Sequence, residues 1–185
     1  MNAASAELFP SLEAGHVPAK SRPLLDQVNK SFGFIPNLFA AFANSPVLLE
    51  GYLALSAAYE RGSLTPPERQ LVLLAASVAN DCHYCTAAHS TVLKAMLKVS
   101  PDVVAAIRAS RPLANGRQDA LVNLARAMVI ARGNVPEQTL KAFVGAGYRA
   151  DQVAEVLVGV ALKTLSNYTS HLSPPAIDSA FAAER

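Results

Sequence analysis

The stretch from Thr65 to Asn80 restricts this chain to one kind of core. Thr65-Pro66-Pro67-Glu68 opens it as a helix: Thr65 supplies an N-cap oxygen, Pro66 is the first helical residue, and Glu68 in the third position completes a capping box. Behind it, Leu71, Val72, Leu73, Leu74, Ala75, Ala76, Val78 and Ala79 make the helix apolar on nearly every side. Such a helix must be surrounded, by its own domain or by a second subunit. The apolar run from Leu71 to Ala79 is far short of the roughly 20 residues a membrane span needs.

Proline and capping residues divide the rest of the chain into the surrounding helices. Pro10, Pro18 and Pro23 mark an irregular arm over residues 1–22, and a helical domain is expected over 23–185. It begins with a short helix from Pro23 to Lys30, a turn from Ser31 to Pro36, and a short helix from Asn37 to Ala43. Ser45 as N-cap and Pro46 open a helix to about Arg61, which Gly62 stops. Asp81 is the expected N-cap of the next helix, running to about Lys98. Further helices are expected over Pro101–Ala109, Arg117–Arg132 and Pro136–Gly145. Another starts at the N-cap candidate Asp151 and carries Val153, Val156, Leu157, Val160, Thr164, Leu165 and Tyr168 at helical spacing. A last short helix is expected over Pro174–Ala183. No stretch alternates as a strand does, so the expected fold is all-α, a single multi-helical domain.

Composition narrows the partners. Charged residues make up 16% of the chain, against roughly 25% in an ordinary domain, which leaves much weakly polar surface and predicts a homo-oligomer. Lys and Arg number 16 against 14 Asp and Glu, a net charge of +2 without clustering. That gives no footprint for nucleic acid. The first twenty residues lack a basic start followed by an apolar run, so no signal peptide is read and a cytoplasmic location is expected. In a reducing compartment a close cysteine pair points to catalysis or metal binding.

All the specific chemistry lies between Cys82 and His89. Cys82 and Cys85 are three apart, and Cys85 and His89 four apart, which puts the three side chains on one helix face. Unpaired N–H groups and the positive end of the dipole favour a thiolate in the first turn, and a neighbouring imidazolium adds to that. The dipole favours Cys82; His89 lies nearest Cys85. Three readings fit these residues: a redox-active dithiol, a zinc site from Cys82, Cys85 and His89 with His171 or a carboxylate, and a pair of ordinary buried cysteines. Tyr84 is either a core aromatic or a hydrogen-bond donor to the site. His83 is expected in solvent, and His16 lies in the arm.

Cys82-His83-Tyr84-Cys85-Thr86-Ala87-Ala88-His89 resembles the cysteine–histidine core of the alkylhydroperoxidase D-like proteins, part of the carboxymuconolactone decarboxylase superfamily. Leu64 to Val72 is similar to that family's lead-in helix, and Gly33-Phe34-Ile35-Pro36-Asn37 with Ser45-Pro46 to its upstream segment. Gly147-Tyr148 through Asn167-Tyr168 is similar to its downstream helix. The resemblance implies an all-α fold assembled as trimers or hexamers, and reduction of hydroperoxides or partner disulfides through the cysteine pair. It implies Cys85 as the attacking thiolate, Cys82 as the resolving cysteine, His89 in a proton relay, and Tyr84 as a hydrogen-bonding neighbour. The family's relay glutamate falls on Gln70, which can orient water but cannot take a proton. Glu60 and Glu155 are the candidate replacements; otherwise disulfide exchange is the main activity. No flavin or nicotinamide fingerprint is present, so no cofactor is expected. The electrons would come from an external dithiol or a lipoyl-type protein, with a peroxiredoxin as a possible acceptor. The superfamily's other activity, lactone decarboxylation, belongs to members that generally lack the pair.

Overall fold

The computed structural model describes residues 17–185; most of the expected N-terminal arm, with His16, lies outside the described residues. Among the described residues nine α-helices follow in chain order: α1 Arg22–Phe32, α2 Asn37–Phe42, α3 Pro46–Glu60, α4 Pro66–Ala79, α5 His83–Thr91, α6 Pro101–Arg108, α7 Gly116–Ile130, α8 Glu137–Gly145 and α9 Gln152–Leu172. No strand occurs among the described residues. The all-α, single-domain expectation holds, and no described helix is long and apolar enough to cross a membrane.

Helix α4 is the axis. Both halves of its capping box form, Thr65 accepting from the Glu68 N–H and Glu68 accepting from the Thr65 N–H. Every residue from Leu71 to Ser77 is buried. On one side it meets α6 and α7, and Ile107, Leu124 and, from α8 packed on α7, Phe143 fill the core there. On the other, Leu73 joins Phe42, Leu49 and Tyr59 of α2 and α3, and this second cluster contains both cysteines. Helix α9 packs against α4 so closely that a Cβ on Gly159 would stand 2.8 Å from the Tyr59 hydroxyl and 2.8 Å from Val72 Cγ1.

Several boundaries differ from expectation, each for a local reason. Asp81 does not cap α5. It sits at φ 56°, the left-handed position after α4, with its N–H on Val78 O and the Cys82 N–H on Ser77 O. These two bonds make the helix ending usually built on glycine, here on an aspartate, one of the few other residues that enter this region readily. Cys82 is therefore the N-cap of α5. The helix does not run on to Lys98 as one α-helix, because Val92–Met96 widens into a π-helical turn. Pro174–Ala183 is not a helix; the chain runs extended to Asp178 and closes in a 3-10 segment, Ser179–Glu184. In α9, Val156 and Val160 are buried as the spacing suggests, but Leu157, Leu165 and Tyr168 are exposed, and they share an open apolar groove with Leu55 and Val129.

Glycine substitutions test this packing. Gly159→Ala is expected to destabilise the protein by about 1–3 kcal/mol in denaturant melts through overpacking, despite its better helix propensity. Gly51→Ala in α3, where a Cβ meets nothing, should gain about 0.5–1 kcal/mol. Equal shifts of the same sign would contradict the close α4–α9 contact.

Candidate active site

The turn between α4 and α5 builds the site. With the Cys82 N–H tied back to Ser77 O at 2.9 Å, α5 starts close against α4, and both cysteines are buried at 1% exposure. Cys82 at the cap and Cys85 in the first turn are free thiols. The Cys82 thiol donates to Cys85. That bond does most to hold Cys85 below the usual thiol range; burial opposes it, and the charge of Lys163 with contacts from Asn167 and Ser166 supports it. The same bond, with burial, holds Cys82 protonated. The pair thus divides into a thiolate at Cys85 and a thiol at Cys82.

Lys163, on α9, is 1% exposed. Burial alone would strip its proton, but Cys85 first and Tyr52 next outweigh that and keep it an ammonium. Its Nζ lies 2.8 Å from His89 Nε2. On the other edge of the ring, His89 Nδ1 lies 2.8 Å from Gln70 Oε1. An ammonium has only donors and Gln70 Oε1 is only an acceptor, so the tautomer follows: Nδ1 carries the proton and Nε2 accepts from Lys163. Burial, and then the Lys163 charge, hold His89 far below its usual value, so it is neutral. The imidazolium expected beside Cys85 is absent, and the positive charge there belongs to Lys163.

Cys85, His89 and Lys163 line a cavity of about 160 Å³ walled by Leu38, Phe39 and Leu162, with Gln70 and Glu60 also on its wall. Phe181 of the C-terminal segment forms part of the same wall. Cys82 does not line it. The segment is anchored at both ends. Asp178 accepts from the Asn37 N–H at 3.2 Å and the Tyr84 hydroxyl at 2.5 Å; Glu184 pairs with Lys94 and with Arg108.

The residues singled out in the sequence are accounted for as follows. Cys85, His89, Gln70 and Tyr84 all line this cavity, and Cys82 lies off it against Cys85. Tyr84 directs its hydroxyl at Asp178 rather than at a sulfur, while its ring meets Phe181 edge-on at 6.1 Å. Glu155 serves elsewhere, accepting from Ser63 and the Leu64 N–H. Among the described residues no group of three His, Cys, Asp or Glu side chains is arranged to hold a metal ion, and His89 turns to Gln70 and Lys163 instead of joining the two sulfurs. Sequence reasoning missed Lys163, Ser166, Asn167 and Ser170. Their spacing was the available signal: three, four and seven residues after Lys163, a polar stripe on one face of α9.

Residues 46–127 match the model of the carboxymuconolactone decarboxylase family. The structure is similar to that of the alkylhydroperoxidase AhpD core, an uncharacterized peroxidase-related protein from Ralstonia eutropha JMP134: TM-score 0.81, 26% identity, covering 94% of this chain and 93% of that one. A peroxidase-related protein from Silicibacter sp. TM1040 shares the fold at TM-score 0.78 and 17% identity, covering 95% and 93%. The debrominase Bmp8, solved with 2,3,4-tribromopyrrole, shares it at TM-score 0.79 and 17% identity, covering 96% and 95%. No curated protein matches the chain significantly.

The opposite states of the two thiols can be read directly. In the reduced protein at pH 6, an ordinary cysteine of pKa near 8.5 is about 0.3% ionised, yet iodoacetamide should modify Cys85 readily and Cys82 far more slowly. Peptide mapping that finds Cys82 modified first would contradict the assignment.

Proposed function

We propose that the chain is a member of the carboxymuconolactone decarboxylase superfamily, close to its alkylhydroperoxidase D-like proteins, and that it is a thiol-dependent peroxidase reducing small organic hydroperoxides through Cys82 and Cys85. One observation carries this reading: of two buried free thiols in one turn, only Cys85 lines the cavity, where the Lys163 side chain lies beside it, and the charge of Lys163 with the Cys82 hydrogen bond favours its thiolate. A peroxidase needs that division. The Cys85 thiolate attacks the terminal oxygen of R–O–O–H, the O–O bond breaks, and a sulfenic acid and an alkoxide result. The alkoxide takes a proton and leaves as alcohol. Cys82, still a thiol, condenses with the sulfenic acid, releasing water and closing a disulfide across the turn. An external dithiol restores both thiols by exchange.

Size and burial select the partners. A cavity near 150 Å³ can take a molecule of benzene's size, which suits a compact organic hydroperoxide. Two sulfurs buried at 1% exposure favour a slender dithiol arm of the lipoyl type over the face of a folded protein. That burial also weighs against a partner's disulfide as the main substrate. The cysteine pair separates this reading from lactone decarboxylation, in which it would have no part.

Cys85→Ser should lose hydroperoxide consumption by at least a hundredfold. Cys82→Ser should complete one oxidation and then accumulate a sulfenic acid that dimedone traps. Consumption that survives in Cys85→Ser would overturn the proposal. The exposed Leu157, Leu165 and Tyr168 complete the reading as a face where copies of the chain meet. Light scattering should give a multiple of 19.5 kDa; a monomer at micromolar concentration would contradict that part.

A further inference from the structure

Thiolate attack on a hydroperoxide generates an alkoxide, and beside a buried sulfur a proton held within the site serves it best when the O–O bond breaks. His89 does not hold that proton. It is neutral, its one N–H is engaged by Gln70, and its other nitrogen accepts from Lys163. Glu155 is bound elsewhere, and the Tyr84 hydroxyl is given to Asp178. Glu60 also stands on the cavity wall, but the group there that carries labile protons and contacts the sulfur is the Lys163 ammonium.

We propose that Lys163 is a catalytic residue of the peroxidase chemistry set out above, on which this inference rests: its ammonium holds Cys85 as the thiolate and then gives a proton to the departing oxygen. His89 and Gln70 are positioning residues. Because the Gln70 oxygen can only accept, it pins the His89 proton on Nδ1 and leaves Nε2 bare to orient the ammonium. A glutamate in that place would draw a second proton onto the ring and set imidazolium against ammonium at 2.8 Å.

Charge balance supports the assignment. Before reaction the buried pair is one ammonium and one thiolate, with no net charge. Attack converts the thiolate to a neutral sulfenic acid, and the ammonium loses the partner that kept it charged. Burial then favours the neutral amine, at the step where the alkoxide needs a proton. The products are a sulfenic acid, an amine and an alcohol, again with no net charge. In the second step the amine takes the proton of the Cys82 thiol, the new thiolate displaces hydroxide from the Cys85 sulfur, and the ammonium returns that proton to the hydroxide as water. No proton has to come from bulk solvent in either step.

Two readouts test this with Lys163→Met and Lys163→Arg. The first is the thiolate absorbance near 240 nm of the reduced protein against pH. The groups facing Lys163 are Cys85, Cys82, Tyr52 and His89, so tyrosinate is followed separately near 295 nm. With the Cys82 hydrogen bond left in place, Lys163→Met should still raise the thiol midpoint, and Lys163→Arg, which keeps the charge, should leave it low. The second readout is single-turnover oxidation per thiolate by cumene hydroperoxide and by peracetic acid. The hydroperoxide expels an alkoxide that needs a proton; the peracid expels a carboxylate that does not. Both variants should slow the hydroperoxide at least a hundredfold, the low end of general acid catalysis, and the peracid far less, because a guanidinium does not release its proton. An unchanged midpoint in Lys163→Met, or equal slowing of the two oxidants, would overturn the proposal. Should Lys163→Met fail to fold, Lys163→Arg decides the proton-donor role alone. Wild-type protein oxidised by neither reagent would overturn the peroxidase reading and the donor role with it, while the titration still decides what ionises Cys85.

Discussion

An ammonium group removed from water must find a negative partner or lose its proton, and the centre of this protein is arranged around that requirement. Lys163 enters the interior on α9, surrounded by Tyr52, Cys85 and His89. A carboxylate partner would have made an inert ion pair. A thiol partner gives a charge that exists only while the sulfur is reduced and unreacted. The burial that makes the ammonium costly is thus what couples its proton to the state of the sulfur.

The fold supplies the rest through one short turn. Helix α4, packed on both sides, is the fixed element, and the left-handed Asp81 reverses the chain straight out of it into α5. Cys82 therefore occupies the joint between two helices, with Cys85 one turn later against α9. The same closeness that forbids a side chain at Gly159 brings Lys163, Ser166 and Asn167 into contact range of the sulfur. The C-terminal segment, anchored through Asp178 and Glu184, completes the cavity wall with Phe181.

Much of this was legible in the sequence because it is local. Capping at Thr65 and Ser45 and the all-apolar run at 71–79 marked α3 and α4 correctly, since each depends on neighbours within one turn. The cysteine–histidine spacing located the site for the same reason. Non-local effects hid the rest. Asp81 looks like an N-cap because side-chain chemistry suggests it; only the backbone reveals a left-handed residue ending the previous helix. Lys163, between Leu162 and Thr164, reads as the wet side of an amphipathic helix. Its burial depends on α3 and α5 arriving from elsewhere in the chain. The same non-local burial decides the charge: spacing alone points to an imidazolium beside Cys85, whereas the structure makes His89 neutral and puts the cation on Lys163.

The central claim is that Cys82 and Cys85 form a working redox couple whose electrons go to a peroxide. Intact-mass analysis of the fully reduced protein, before and after one equivalent of organic hydroperoxide, tests it most directly. The account predicts a loss of two hydrogens, with no added oxygen, that an external dithiol reverses. Thiols that stay reduced in the presence of peroxide, or zinc that co-purifies and protects them, would contradict it.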